Sequence, residues 1–384
     1  MSRVGEVAAV FLRLGFVAFG GPAAHIAMMR EELVRRRGWV SDERFVDLMG
    51  ATNLVPGPNS TELAIHLGWD RARWRGLLVA GFCFIVPAAL IVTALAWLYV
   101  EQGSTPAFDD VLSGVVPAVL AIIVWALVPL LRTVVWGTRS PVVRGGLAVL
   151  AAGALAAYLL GVNELVVLFG GAALAAAARA LVRGRARLRD GGHPVLLVAA
   201  LPYFSDPSGA DLTRLFTTML KIGAVLYGSG YVLLAFLEGD FVDRLGWLTR
   251  EQLLDAISIG QVTPGPVFTT ATFVGYVVAG LPGAFLATVA IFLPSFVFVG
   301  LLTQITDRLR AWPWTAVALD GLNATALGLM AGVTLVLGGE ALVDPVSVLV
   351  LVVTLLLLWR TRLNSAWYVL GGAVVGILGG GAVF

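Results

Sequence analysis

Long apolar runs dominate the chain, and short polar stretches rich in arginine punctuate them. A helix needs about twenty apolar residues to cross the hydrocarbon core of a bilayer. Runs of that kind occupy 8–29, 76–100, 111–131, 142–160, 163–182, 215–237, 281–304, 315–338, 343–359 and 366–382. Two further apolar stretches, 44–68 and 251–280, are each cut by Pro-Gly-Pro, at Pro56-Gly57-Pro58 and Pro264-Gly265-Pro266. Proline removes a helical hydrogen bond and clashes with the preceding turn. Each of these stretches is therefore predicted to form two half-helices around a loop.

Composition fixes the class. Of 384 residues, 59% are hydrophobic and 13% charged, against about 25% charged in soluble domains. The pattern predicts an all-α polytopic membrane protein, and no cleavable signal peptide is read at the start. Cys83 is the single cysteine, so there is no disulfide framework. The three histidines form no cluster with metal-ligand spacing. Neither a metal nor another cofactor is expected. No nucleophile–base set marks an enzyme, and no nucleic-acid partner is expected.

The chain contains one unit twice. A constant shift in numbering carries Arg13 to Lys221, Gly20 to Gly228, Gly38-Trp39 to Gly246-Trp247, Asp47 to Asp255, and the first Pro-Gly-Pro onto the second. The expected organisation is a membrane repeat over 1–182, a cytoplasmic linker over 183–214 and a second repeat over 215–384. If each Pro-Gly-Pro stretch dips in and returns, each repeat has five spans plus one re-entrant helical hairpin. An odd number of spans inverts the second copy. That topology leaves every Lys and Arg on the cytoplasmic side except Arg3, Arg13, Lys221, Arg244 and Arg250, as the positive-inside rule requires.

Inverted repeats with interrupted apolar segments at matching positions mark secondary transporters. The half-helix leaving each hinge aims its free N–H groups and positive dipole end inward, which suits an anion. Asn59, Ser60 and Thr61 follow the first hinge, and Thr269, Thr270 and Thr272 the second. Arg13 and Lys221, at equivalent intramembrane positions, are candidate anion ligands. Glu62 is expected to pair with Arg13, with proton binding as its other role, and His25 and His66 are candidate proton relays. Gly20 and Gly21 in "FGGP", and Gly228, Ser229 and Gly230 in "YGSG", permit close approach of a helix or a substrate. A transporter of sulfate or another oxyanion and a passive anion channel are the competing readings.

The stretches "LGFVAFGGPAAHIAMM", "NLVPGPNSTELAIHLGW" and "ISIGQVTPGPVFTTATFVGY" resemble the chromate ion transporter family in its long, two-domain form. The resemblance runs from about residue 8 to the C-terminus. It implies proton-motive export of chromate across a bacterial inner membrane, with sulfate as an isosteric competitor. Lipid bilayer, protons and a second copy in a homodimer complete the expected partners. The family's motif falls on Arg13, Phe19, Gly20, Gly21, Pro22, His25, Pro56, Gly57, Pro58, Lys221, Pro264, Gly265 and Pro266. The chain departs from it at Tyr227-Gly228-Ser229-Gly230, where Phe-Gly-Gly-Gly is usual. It departs again at Ala235, in place of a proline, and at Asn53, in place of a glutamine that Gln261 keeps in the second copy.

Overall fold

The structure is a computed structural model that describes residues 2–19, 21–52, 55–102, 106–136, 140–184, 212–227, 232–302, 313–361, 363 and 365–380. The described residues are helical, without strands. Gly20, Gly228, Ser229 and Gly230, and nearly all of the expected linker over 183–214, lie outside them.

The first apolar run does not form a single span. Helix α1 (Arg3–Val17) ends, α2 (Gly21–Met29) begins, and α2 continues as a π-helical segment, Arg30–Arg36. Val10, Arg13, Leu14 and Val17 line a small cleft of about 120 Å³ together with Met28, Glu32 and Arg36. In one continuous helix residues 10 and 36 would stand roughly 39 Å apart, so the chain must reverse. Gly21 permits the turn by adopting a φ of 74°, and Pro22, lacking an N–H, cannot extend the preceding helix. Arg71 then ties the outer ends together. It donates to Glu6, and its guanidinium lies 5.1 Å from the Trp39 ring centroid.

A second hairpin follows. Helix α3 (Asp42–Thr52) leads into the first Pro-Gly-Pro loop, and α4 (Asn59–Gln102) leaves it. Helix α4 breaks at Ala72 (φ −145°) and Arg73 (φ 54°). Around the break Gly68 and Gly76 touch. A Cβ on Gly68 would stand 2.3 Å from the Gly76 carbonyl oxygen, and one on Gly76 2.0 Å from that of Gly68. Residues 59–71 therefore fold back onto the rest of α4. Arg44 grips Asp70 with two bonds of 2.8 and 3.0 Å, joining the outer ends of this hairpin. Four long helices complete the first half: 73–102, α5 (Pro106–Trp136), α6 (Pro141–Leu159) and α7 (Glu164–Gly184).

The second half repeats these devices. Helix α8 (Leu212–Val225) is followed by α9 (Leu233–Leu237) and a π-helical segment, Glu238–Arg244. Lys221 Nζ reaches Asp240 Oδ1 at 2.7 Å, so the apolar run 215–237 also reverses. Helix α10 (Arg250–Val262), the second Pro-Gly-Pro, a 3-10 turn (Val267–Thr269) and α11 (Thr270–Leu302) form its second hairpin. The break in α11 falls at Ala279 (φ −148°) and Gly280 (φ 63°), nearly the dihedrals of Ala72 and Arg73. Helices α12 (Pro313–Ala341), α13 (Pro345–Arg360) and α14 (Ser365–Gly380) end the chain. The runs 8–29 and 215–237, each expected as one span, are thus corrected among the described residues to two helical pieces that reverse.

Among the described residues five helices are long and apolar enough to cross a membrane, and α13 and α14 are shorter apolar helices. Their outward faces are greasy: Leu349, Leu356, Trp359, Ile377 and Leu378 are all exposed. The chain is a multi-pass helical membrane protein.

The two halves interlock. Helix α12 packs on α6 and α7, while α5 packs on α13 and α14. Small residues allow this, as membrane helices lacking a hydrophobic drive require. A Cβ on Gly114 would meet the Gly372 carbonyl at 2.0 Å, and one on Gly328 the Ala151 carbonyl at 2.3 Å. In the centre, Gly81 faces the Phe296 ring and Gly300 faces Trp74. The later parts of α4 and α11, which match in the sequence register, therefore cross antiparallel.

Candidate functional site

The two Pro-Gly-Pro loops meet in the interior. Gly57 N–H donates to the Leu226 carbonyl at 2.8 Å, and Gly265 N–H donates to the Ala18 carbonyl at 2.8 Å. Each loop thus binds the point where the other half's first helix stops, and the register that pairs Gly57 with Gly265 also pairs Ala18 with Leu226. Both loop glycines need positive φ, 140° at Gly57 and 93° at Gly265, which a side chain would disfavour. At Gly57 space also excludes one: a Cβ would lie 2.3 Å from Glu62 Oε1 and 2.6 Å from Ser295 Oγ.

His25 braces the first loop. Its Nε2 bonds the Ala18 carbonyl at 2.9 Å and its Nδ1 the Ser60 hydroxyl at 3.2 Å. A carbonyl only accepts, so Nε2 carries the proton, and in the neutral ring Nδ1 accepts from Ser60. The Phe84 ring packs edge-on at 5.6 Å. Ala18 O thus receives both His25 and Gly265, fastening α2 and the second loop at one atom, while Ser60 ties α4 to the other side of the His25 ring.

Around these loops the polar residues are buried: Ser60, Thr61, Glu62, His66, Gln261, Thr269, Thr270, Thr272 and Ser295. Several hydroxyls of the second cluster are engaged locally. Thr269 donates to the Pro266 carbonyl and Thr270 to the Val267 carbonyl, both at 2.8 Å, and Thr272 shares a 2.8 Å bond with Thr288. Thr61 Oγ1 and Gln261 Nε2, by contrast, have no hydrogen-bond partner among the described residues. At the start of α4 the Thr61 and Glu62 N–H groups both donate to the Pro58 carbonyl, at 2.8 and 3.0 Å, and the positive end of the helix dipole faces the loop. The arrangement offers neutral donors and one helix N-terminus in a dry interior, the chemistry of an anion site.

The expected cations stand elsewhere. Arg13 lies on the exposed side of α1, in the cleft with Glu32 and Arg36. Lys221 is held by Asp240, which also binds Arg244 at 2.9 Å. The expected Arg13–Glu62 pair does not form: Glu62 is fully buried beside Gly57 and Ser295. Sequence reasoning missed Ser295 and Gln261 as neighbours of the loops. A serine directly after Pro294 inside an apolar helix was the available signal.

The comparisons with known proteins agree with one another. The chromate transporter family profile matches residues 5–176 and 213–377. A chromate transport protein of Cupriavidus metallidurans is 33% identical over 377 residues, covering 96% of this chain and 91% of that protein. One from Pseudomonas aeruginosa is 32% identical over 404 residues, covering 97% and 92%. An uncharacterised transporter of Methanocaldococcus jannaschii is 28% identical over 96% of this chain and 92% of its own. No solved structure matches the chain. With matched segments that span both halves and include both Pro-Gly-Pro loops, the chain belongs to the chromate transporter family.

Proposed function

We propose that this protein is a secondary transporter that carries a tetrahedral oxyanion, chromate, out of the cytoplasm at the expense of the proton-motive force, with the anion bound where the two Pro-Gly-Pro loops meet. The observation that carries this reading is the reciprocal pair Gly57–Leu226 and Gly265–Ala18. It brings both hinges to one interior point beside the unpaired donors of Thr61 and Gln261. Irregular backbone at membrane depth is tolerated where it is buried in protein or lines a cavity, and paired hinges between repeats are where transporters bind substrate. Sulfate, with the same shape and charge, is the expected competitor.

The transport reading goes with an inverted arrangement in the inner membrane of a bacterium. Matching helices that cross antiparallel support it. So does a charge exchange between matching ion pairs: Arg30 binds Asp42 at 2.8 Å, and Glu238 binds Arg250 at 3.0 Å. Arg35, Arg36, Arg37, Arg44, Arg71, Arg73 and Arg75 gather at the outer end of the first two hairpins, which the positive-inside rule assigns to the cytoplasm.

Flux of labelled chromate and sulfate in proteoliposomes, with and without a pH gradient, tests the function. Saturable chromate flux, inhibited by sulfate and altered by the gradient, is expected. Flux of neither anion would overturn the reading.

A further inference from the structure

Glu62 is fully buried, and among the described residues neither carboxyl oxygen has a donor in good hydrogen-bond geometry. Ser295, from the other half, is the hydroxyl beside it, and both groups crowd the Cα of Gly57. Among the described residues the titratable side chains around the site are Tyr227, which follows the Leu226 carbonyl held by Gly57, then His25 across Ser60, and His66 one turn further along the same helix as Glu62. Lys221 is held by Asp240 and Arg13 lines the cleft with Glu32 and Arg36, and among the described residues no Arg or Lys is hydrogen-bonded to the carboxyl. A lone carboxylate in so dry a place is far costlier than its neutral form.

The matching position in the second half shows that the fold itself does not need an acid there. Register carries Glu62 to Thr270 and Ser295 to Ala88. A Cβ on Gly265 would accordingly meet Ala88 at 2.6 Å, as one on Gly57 would meet Ser295. Thr270 and Ala88 build the same junction without a titratable group. The acid is present once per molecule, in one loop of two.

We infer that Glu62 holds a proton in this conformation, and that this single proton travels with the oxyanion rather than against it. This rests on the oxyanion reading of the loop site. An ionised Glu62 would sit beside the anion and repel it, so protonation and anion binding favour each other, and linkage makes the effect reciprocal. One proton carried with a dianion still leaves one net negative charge, which the inside-negative potential, the electrical part of the proton-motive force, drives outward while the pH gradient opposes the proton.

Infrared difference spectra of the anion-free protein at neutral pH, wild type minus Glu62→Gln, decide the first part. A protonated carboxyl C=O band that Ser295→Ala shifts in frequency is expected. A carboxylate band in its place would overturn the inference. Sulfate affinity measured across pH decides the second part. In the wild type it should fall about tenfold per pH unit above the titration of Glu62, and in Glu62→Gln it should stay flat. The same profile in both proteins, or affinity that rises with pH in the wild type, would contradict cotransport. Binding of neither sulfate nor chromate would overturn the oxyanion reading and the linkage with it, while the infrared band would still report the state of Glu62.

Discussion

The Gly57 amide donates to the Leu226 carbonyl at 2.8 Å, and 208 residues later the Gly265 amide repeats the bond to Ala18 at the same distance. Bonds exchanged in this way hold each loop against the end of the other half's first helix.

Substitution of the loop glycines is expected to be severe. Gly57→Ala forces a Cβ to within 2.3 Å of Glu62 Oε1 at a φ of 140°, and Gly265→Ala one to within 2.6 Å of Ala88. Overpacking costs about 1–3 kcal/mol, and the left-handed backbone adds about 1–2 kcal/mol. Both variants should insert but melt at lower temperature in detergent and lose flux. Wild-type melting and flux in both would show that the loops have room to spare.

The two matching ion pairs should differ in worth. Arg30 and Asp42 are about half exposed, whereas Glu238 is 1% exposed and also receives the Tyr158 hydroxyl. Asp42→Ala should cost under about 1 kcal/mol. Arg250→Ala strands a buried carboxylate and should cost roughly 2–4 kcal/mol. Thermal melts of the two single variants give the comparison, and equal shifts would refute it.

Topology can be read by labelling. In a protein with Cys83 replaced, cysteines at Arg36 and Ser140 should react with an impermeant reagent from the cytoplasmic side, and one at Asp243 from outside. Reaction of Arg36 and Asp243 positions from one side would rule out the inverted arrangement.

Much of this was legible in the residues. The hinges, the repeat register and the buried hydroxyls following each Pro-Gly-Pro are all visible as strings. The reversal inside 8–29 was not, because hydropathy records apolar content while the turn depends on the φ of Gly21 and the missing N–H of Pro22. Arg13 and Lys221 stand away from the loops for a related reason. Arg13 and Lys221 lie at similar depth along their helices, but sequence does not say which side of a helix faces the loops. Ser295 lay far along the chain from Glu62, and only the crossing of α4 and α11 brings it near.

The most direct measurement is chromate flux in proteoliposomes for variants at the loops and away from them. Replacing Pro56-Gly57-Pro58 with alanines removes the break, since alanine is favoured over proline by about 3 kcal/mol at each interior helical position, and should abolish flux. Thr61→Val removes one unpaired donor worth roughly 1–3 kcal/mol and should raise KM accordingly. Arg13→Ala, at the surface cleft, should keep flux within several-fold of wild type. Full flux in the alanine triple variant, or loss confined to Arg13→Ala, would contradict an oxyanion site at the meeting of the two loops.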